Sequence, residues 1–363
     1  MSSLDTTDSR QFLSDRIGRL SQIGGITSFT HAAGKAKGAS TLRVRTAKGL
    51  ELWVLPDNGM DIFEATYLGR SLCWHSPTGV VHPAYYASRG LEWLRSFAGG
   101  LVCTCGLSTA GAPSEDNGES LGLHGPIANT PSENVTLSEE WRGDDCLLTV
   151  AGSVRETSVF GPNLLLRRTI TTSLQRASFA IHDVVENQGS KESPLMVLYH
   201  LNFGYPLLTE SSKIYCSSSM AEPSTEFAAE SKDKWDVFEA PSQGIEERVY
   251  FHTMEPDSTG MVTVVLVSDD SKRDFGISLR YDKKTLTEFT QWKTTGTNHF
   301  VLGLEPGNCR TKGRAAERKR GALQTLAPGE QREFRFEIAV LDGESQVAEA
   351  IRSISDQKGF ESA

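Results

Sequence analysis

The feature that most constrains this chain is a succession of short segments that alternate apolar and polar residues with only turns between them. Residues 147–152, 164–174, 179–187 and 195–203 alternate in this way, and a period of two sends successive side chains to opposite faces of a β-strand. The links are brief and polar, Gln175-Arg176-Ala177-Ser178 and Gln188-Gly189-Ser190-Lys191, which suits antiparallel hairpins better than crossovers. The spacing therefore predicts an antiparallel meander of these four strands.

A second set at 261–268, 276–281, 288–293, 300–304 and 333–340, and an earlier group at 42–45, 50–55 and 62–67, mix β-branched or aromatic residues with polar ones in the same manner. Helical spacing is confined to residues 9–20, 345–354 and a shorter stretch at 91–97. Neither a glycine-rich phosphate loop nor a strand–helix–strand alternation interrupts the pattern. The expected architecture is all-β, one large sandwich over 41–342, preceded by an extension with a helix (1–40) and followed by a helix and tail (343–363). The long polar stretches 108–121 and 217–246 are expected at the surface or around a cleft.

Composition excludes several function classes. The formal charge of −9 is spread without long like-charge blocks, and nucleic-acid binders need the opposite. The dense basic run at 310–320 also holds Glu317 and reads as a solvated loop, with the border of an anionic substrate as its other reading. Residues 1–19 lack the apolar core of a signal peptide, and no window approaches the roughly 18 to 20 apolar residues that cross a bilayer. A cytoplasmic protein without a membrane or nucleic-acid partner is expected. Its six cysteines, Cys73, Cys103, Cys105, Cys146, Cys216 and Cys309, have no paired spacing and are expected to be reduced. The oligomeric state is left open, with a homodimer as one form the chain allows.

Three segments carry candidate chemistry. In Phe300-Val301-Leu302-Gly303-Leu304-Glu305-Pro306-Gly307 an apolar strand ends in an acid, which suits a group pointing into a cleft. In Leu195-Met196-Val197-Leu198-Tyr199-His200-Leu201-Asn202-Phe203 the alternation puts His200 and Asn202 on one face and Tyr199, Leu201 and Phe203 on the other. In Leu121-Gly122-Leu123-His124-Gly125 a histidine stands between glycines, where backbone comes close to a ligand. An acid with histidines suits general acid–base chemistry or a metal site. No His-x-His or His-x-x-x-His pair supports the metal reading, so neither a metal nor a cofactor is expected.

The order of Leu123-His124-Gly125, Val185-Glu186-Asn187, Tyr199-His200-Leu201-Asn202-Phe203, Leu302-Gly303-Leu304-Glu305-Pro306 and Leu326-Ala327-Pro328-Gly329-Glu330 resembles the galactose mutarotase (aldose 1-epimerase) superfamily. The resemblance spans residues 42–341 and is nearest an aldose 1-epimerase-like branch, on Trp93-Leu94-Arg95-Ser96-Phe97-Ala98-Gly99-Gly100-Leu101 and Thr104-Cys105-Gly106-Leu107.

The resemblance implies an antiparallel β-supersandwich that binds a small-molecule carbohydrate, with Glu305 as general base, His200 as general acid and His124 as a substrate contact. Arg95 stands for the family's sugar-binding arginine. Trp292, Trp74 and Trp93 are candidates for stacking on a sugar ring, and Gln291, Asn129 and Asn202 for binding hydroxyls. Asp61, after the Asn58-Gly59 turn, is a further candidate, and Asp236 alone offers itself for the family's hydroxyl-binding aspartate. The expected reaction is anomer interconversion by ring opening. A lyase or epimerase acting on an oxidised or acidic sugar, and a non-catalytic carbohydrate-binding protein, are the alternatives.

Overall fold

The computed structural model describes residues 9–355. Two antiparallel sheets enclose one continuous apolar cluster, which is the sandwich the alternation predicts. The larger sheet, of twelve strands, follows the order Gly25–Thr30, Ser40–Arg45, Leu50–Leu55, Asp61–Tyr67, Val102–Leu107, Ser193–Gly204, His299–Gly307, Glu288–Gly296, Arg248–Met254 and Ser218–Pro223, with two short strands attached beside this path. The second sheet, of eight, follows Lys213–Cys216, Met261–Val267, Phe275–Asp282, Gln331–Asp342, Ser178–Asn187, Asn163–Ser173, Asp145–Thr157 and Ser132–Arg142.

Period-2 geometry explains how a strand buried on both sides serves two purposes. Along Ser193–Gly204, Val197, Tyr199, Leu201 and Phe203 join the cluster between the sheets. Met196 and Leu198 point the other way and join a smaller cluster with Trp93, Phe97, Cys103 and Cys105. The larger sheet thus has a second buried face outside the sandwich core. The functional candidates stand on that face.

The meander holds for three strands and then breaks. Asp145–Thr157, Asn163–Ser173 and Ser178–Asn187 pair in sequence, but Ser178–Asn187 takes Gln331–Asp342 as its next neighbour. Ser193–Gly204 crosses to the larger sheet. A strand with apolar side chains on both faces needs cover on both, and the sandwich offers that in the middle of the larger sheet.

The strand expected at 300–304 runs on through Glu305 and Pro306 as His299–Gly307. Pro306 is tolerated because pairing with Ser193–Gly204 lapses between Leu201–Leu304 and Leu198–Gly307. A strand at Gly25–Thr30 already belongs to the larger sheet, within the segment read as an extension. Near the two ends stand the helices Arg10–Ser14, capped by the Ser9 hydroxyl accepting from Phe12 N–H, and Glu344–Ser355. The latter packs Val347 and Ile354 against Val265, Val267 and Leu341. Residues 91–97 hold a single 3-10 turn, Glu92–Arg95.

The run 310–320 is a correction. It is no solvated loop but an ion-paired helix, Arg314–Lys319, with Arg314 and Glu317 buried. Arg310 pairs with Glu222 and Glu288, Arg314 with Asp116 and Glu119, Arg318 with Asp116, and Arg320 with Glu288 and Glu317. All six cysteines are buried free thiols.

Candidate active site

Register brings the acid and the histidine together. The pairs Leu201–Leu304 and Leu198–Gly307 fix the antiparallel alignment, and counting inward from either sets His200 opposite Glu305. Cys103 is level with His200 on the other side, and Thr290 is level with Glu305. One row of side chains, Cys103, His200, Glu305 and Thr290, therefore crosses four neighbouring strands on the same face. Within it His200 Nε2 lies 3.2 Å from Glu305 Oε1.

The loop that follows the polar stretch 108–121 adds His124. Its glycines are needed for close approach: a Cβ at Gly122 would lie 2.0 Å from Ser88 O, and one at Gly125 would lie 2.4 Å from Gly106 O. His124 has a left-handed backbone, φ 58°. Its ring stands edge-on to His200, with centroids 5.8 Å apart. The Gly111 N–H donates to His124 Nδ1, so the neutral ring carries its proton on Nε2.

His124, His200, Glu305 and Thr290 line a pocket of about 390 Å³ with Trp93, Phe97, Leu123, Glu247, Trp292, Thr311 and Lys312 among its walls. That volume lies within the range of small-molecule sites. Aromatic rings frame it: His200 is 5.3 Å from Trp292 and 5.2 Å from Phe97, and Trp74 supports Trp292 edge-on at 6.1 Å. The Trp292 indole N–H donates to Glu247 (2.7 Å), which fixes the ring. Residues of both long polar stretches, Ala112, Pro113, Ser224 and Thr225, form part of the rim, as expected of 108–121 and 217–246.

Burial dominates the electrostatics. Glu305 is 1% exposed. Desolvation, reinforced by the Glu247 charge, holds its carboxyl well above the usual range. Desolvation also pushes His200 down to about 4, against the Asn202 side chain, which favours the protonated ring. His124 is pushed to about 3, by burial first and then by His200. Burial therefore favours neutral imidazoles and disfavours the ionised form of the carboxyl beside them.

Four buried polar atoms of the pocket walls have no hydrogen-bond partner: Trp93 Nε1, His200 Nδ1, Thr290 Oγ1 and Glu305 Oε1, the last standing at ion-pair distance from His200 Nε2 without an aligned hydrogen bond. Native interiors satisfy most such atoms, so a concentration in one pocket marks a place built to receive polar groups. Thr290 and Glu247 were not legible as site residues, although Thr290, two residues before Trp292 on a strand and so on the same face, was a usable signal.

Other candidates are not brought together with the pair. Gln291 points to the opposite face from Trp292, where its side chain bonds His252 and the Trp235 carbonyl. Adjacent residues of a strand cannot share a face. Asn202 shares His200's face but is fully buried and spends its amide on the Gly100 and His200 carbonyls. Arg95 is exposed on its 3-10 turn and lies outside the pocket walls. Asn129 and Asp61 border a separate crevice of about 30 Å³, room for about two waters. Asp61 is engaged by Arg168 (2.8 Å) and by Thr104. Asp236 pairs with Lys213 at 2.6 Å.

Comparison with known proteins identifies the fold that carries this pocket. A family model described as "Domain of unknown function (DUF4432)" matches residues 36–340. No curated protein matches the chain. Among solved structures, a "putative aldose 1-epimerase" from Klebsiella pneumoniae is 26% identical and superposes with a TM-score of 0.87, over 92% of this chain and 88% of that one. A galactose mutarotase-like protein from Clostridium acetobutylicum is 13% identical, with a TM-score of 0.56 over 88% of this chain and 99% of that one. A galactose 1-epimerase from Lactobacillus acidophilus is 11% identical, again at 0.56, over 88% and 99%. The fold is galactose mutarotase-like, as the order of motifs implied.

Proposed function

This chain belongs to the DUF4432 family, and we propose that it is a mutarotase-like isomerase in which Glu305 and His200 open and reclose the ring of a sugar hemiacetal. The observation that carries the proposal is the 3.2 Å approach of His200 Nε2 to Glu305 Oε1, at a pocket whose walls hold unpaired polar atoms. The aldose 1-epimerase name of the Klebsiella relative supports the same reaction class.

Ring opening moves one proton off the anomeric hydroxyl and another onto the ring oxygen, so the catalyst needs one donor and one acceptor at once. A Glu–His pair that shares a single proton is both. In the neutral arrangement that burial favours, the Glu305 carboxyl donates to the ring oxygen while His200 Nε2 accepts from the anomeric hydroxyl. The charged arrangement, carboxylate beside imidazolium, reverses those roles and matches the base and acid implied by the resemblance. Each ring opening converts one arrangement into the other, and reclosure restores the first. Rotation about the C1–C2 bond between the two steps exchanges the anomers.

In this reading His124 Nε2–H and Thr290 bind sugar hydroxyls, and the Trp292 face stacks on the ring. The test is one-dimensional NMR saturation exchange over a panel of aldoses, keto-sugars and sugar acids, for the wild type and Glu305→Gln. Acceleration that falls by about 10²–10⁴ in the mutant is the expected result. Binding without exchange would overturn it in favour of a carbohydrate-binding protein. Lys312 lines the rim and would meet an anionic sugar; a product that is not an anomer would assign the pair to a lyase or epimerase instead.

A further inference from the structure

A second cluster of reactive side chains stands at the turn that follows the strand Asp61–Tyr67. The chain doubles back through the pairs Tyr67–Arg70 and Thr66–Ser71, and the Leu72 N–H donates to Ala65 O. Continuing that register sets Cys73 level with Glu64. Cys73 and His75 are two residues apart, and a bend at Cys73 lets both side chains turn toward Glu64. His75 Nε2 lies 3.5 Å from Cys73 Sγ and 3.4 Å from Glu64 Oε2. The three ligand atoms all fall within 4.8 Å of one another.

Those separations match a tetrahedral cation. With zinc at about 2.3 Å from sulfur and about 2.0–2.2 Å from nitrogen and oxygen, tetrahedral angles require about 3.5 Å between sulfur and nitrogen and about 3.4 Å between nitrogen and oxygen. We propose that Glu64, Cys73 and His75 form a binding site for a thiophilic divalent cation of the zinc class, with the fourth position facing solvent. The mixed sulfur, nitrogen and oxygen set suits a borderline-soft ion and disfavours calcium or magnesium. An ion pair between His75 and Glu64 would not require a thiol at ligand distance from the same ring nitrogen.

The site is preorganised and accessible. The His75 ring stacks on Phe63 at 4.4 Å and 12°, and its backbone bridges to Gly99. The side chains of His75 and Glu64 are 38% and 18% exposed, so an ion can enter from one side, while Cys73 is buried. On binding, the Cys73 S–H bond breaks, the sulfur–metal bond forms and the proton leaves to solvent; no electron is transferred. Trp74, between two of the ligands, braces Trp292 of the pocket, so the ion would also stiffen that wall.

The test is a cobalt(II) titration of the chelator-treated full chain, followed by displacement with zinc. A thiolate-to-cobalt charge-transfer band that saturates at one equivalent, is abolished by zinc, and is lost in Cys73→Ser and His75→Ala is the expected result. Glu64→Gln should weaken cobalt affinity at least tenfold. His75→Ala decides the matter if Cys73→Ser does not fold, because the ring is largely at the surface. Absence of the band in the wild type, or its survival in either variant, would overturn the proposal.

Discussion

Gly303→Ala separates the proposed chemistry from mere folding. Gly303 precedes Glu305 by two residues on the same face, and its backbone lies outside the left-handed region, so alanine is conformationally allowed. A Cβ there would sit 2.6 Å from Glu305 Oε1 and 3.2 Å from Cβ and Cε3 of Trp292. A comfortable carbon–oxygen approach is about 3.3 Å, so the carboxylate oxygen must withdraw by about 0.7 Å and Trp292 by a few tenths. Displacing a reacting group by about 1 Å costs about 10²-fold in rate. A fall of about 10- to 100-fold in kcat is therefore expected, equivalent to about 1.4–2.7 kcal/mol. Stability should change by less than about 1 kcal/mol, since the atom displaced is the end of a flexible side chain and alanine narrows the unfolded ensemble. Anomer exchange by NMR and a urea denaturation curve on the same preparation read both quantities. Wild-type exchange in the variant would refute the role of Glu305 Oε1. A loss of activity accompanied by about 3 kcal/mol or more of destabilisation would refute the geometric reasoning.

The remaining predictions concern pH, the aromatic wall and the interior. If the pair works with one proton, kcat/KM should fall as pH drops through about 4, where His200 gains a second proton beside a carboxyl whose ionisation burial disfavours; a limb near the ordinary histidine value would sink this assignment. Trp292→Phe keeps an aromatic face but removes the 2.7 Å bond to Glu247, and KM should rise about two- to fivefold, equivalent to about 0.5–1 kcal/mol, with kcat little changed; unchanged KM in a steady-state assay would show that the bond does not position the ring. Arg168→Met leaves the buried carboxylates of Asp61 and Asp183 without their cation, and should cost about 3–5 kcal/mol by urea denaturation; a loss below about 1 kcal/mol would mean the carboxylates find other partners.

Strands that alternate plainly were legible, and two that do not were missed. Asp145–Thr157 and Ser178–Asn187 alternate residue by residue, whereas Ser132–Arg142 is exposed almost throughout and Val102–Leu107 is buried at every position, so neither of these presents the contrast that periodicity detects. The two ends of the site were legible for the same reason: Glu305 and His200 interrupt apolar runs. Their meeting depends on register between segments about a hundred residues apart, which alternation within either strand does not encode. Gln291 was a candidate that alternation alone argues against, because Trp292 beside it claims the pocket face. The run 310–320 misled because its partners, Asp116, Glu119, Glu222 and Glu288, are far away in sequence, and charges paired only by the tertiary fold read as charges in water.

The alternation that aims His200 outward aims Tyr199 inward, and what Tyr199 meets there explains how the site is held. Its hydroxyl donates to Asp183 Oδ2 at 2.7 Å, and Asp183 in turn binds Arg168 at 2.7 Å. Arg168 and Asp183 belong to the second sheet. Arg168 reaches across the sandwich to Asp61 (2.8 Å) and to the Thr104 hydroxyl (2.8 Å), and Thr104 is level with Tyr199 in the larger sheet. A fully buried ionic cluster of this kind is weak as a source of stability, because desolvating its charges offsets most of their attraction. Its geometry is more demanding than that of the leucines and valines around it, which would tolerate small slips between the sheets. A sub-ångström slip is what a proton-sharing pair cannot tolerate. The cluster lies directly behind the His200–Cys103 row, so a cation that fixes both sheets there also fixes the strand on which the imidazole stands. On this argument Arg168 is a positioning residue. Variants that loosen it without unfolding the chain, such as Arg168→Lys, should lower kcat before they change KM, and an equal effect on both would place the cluster's role in folding alone.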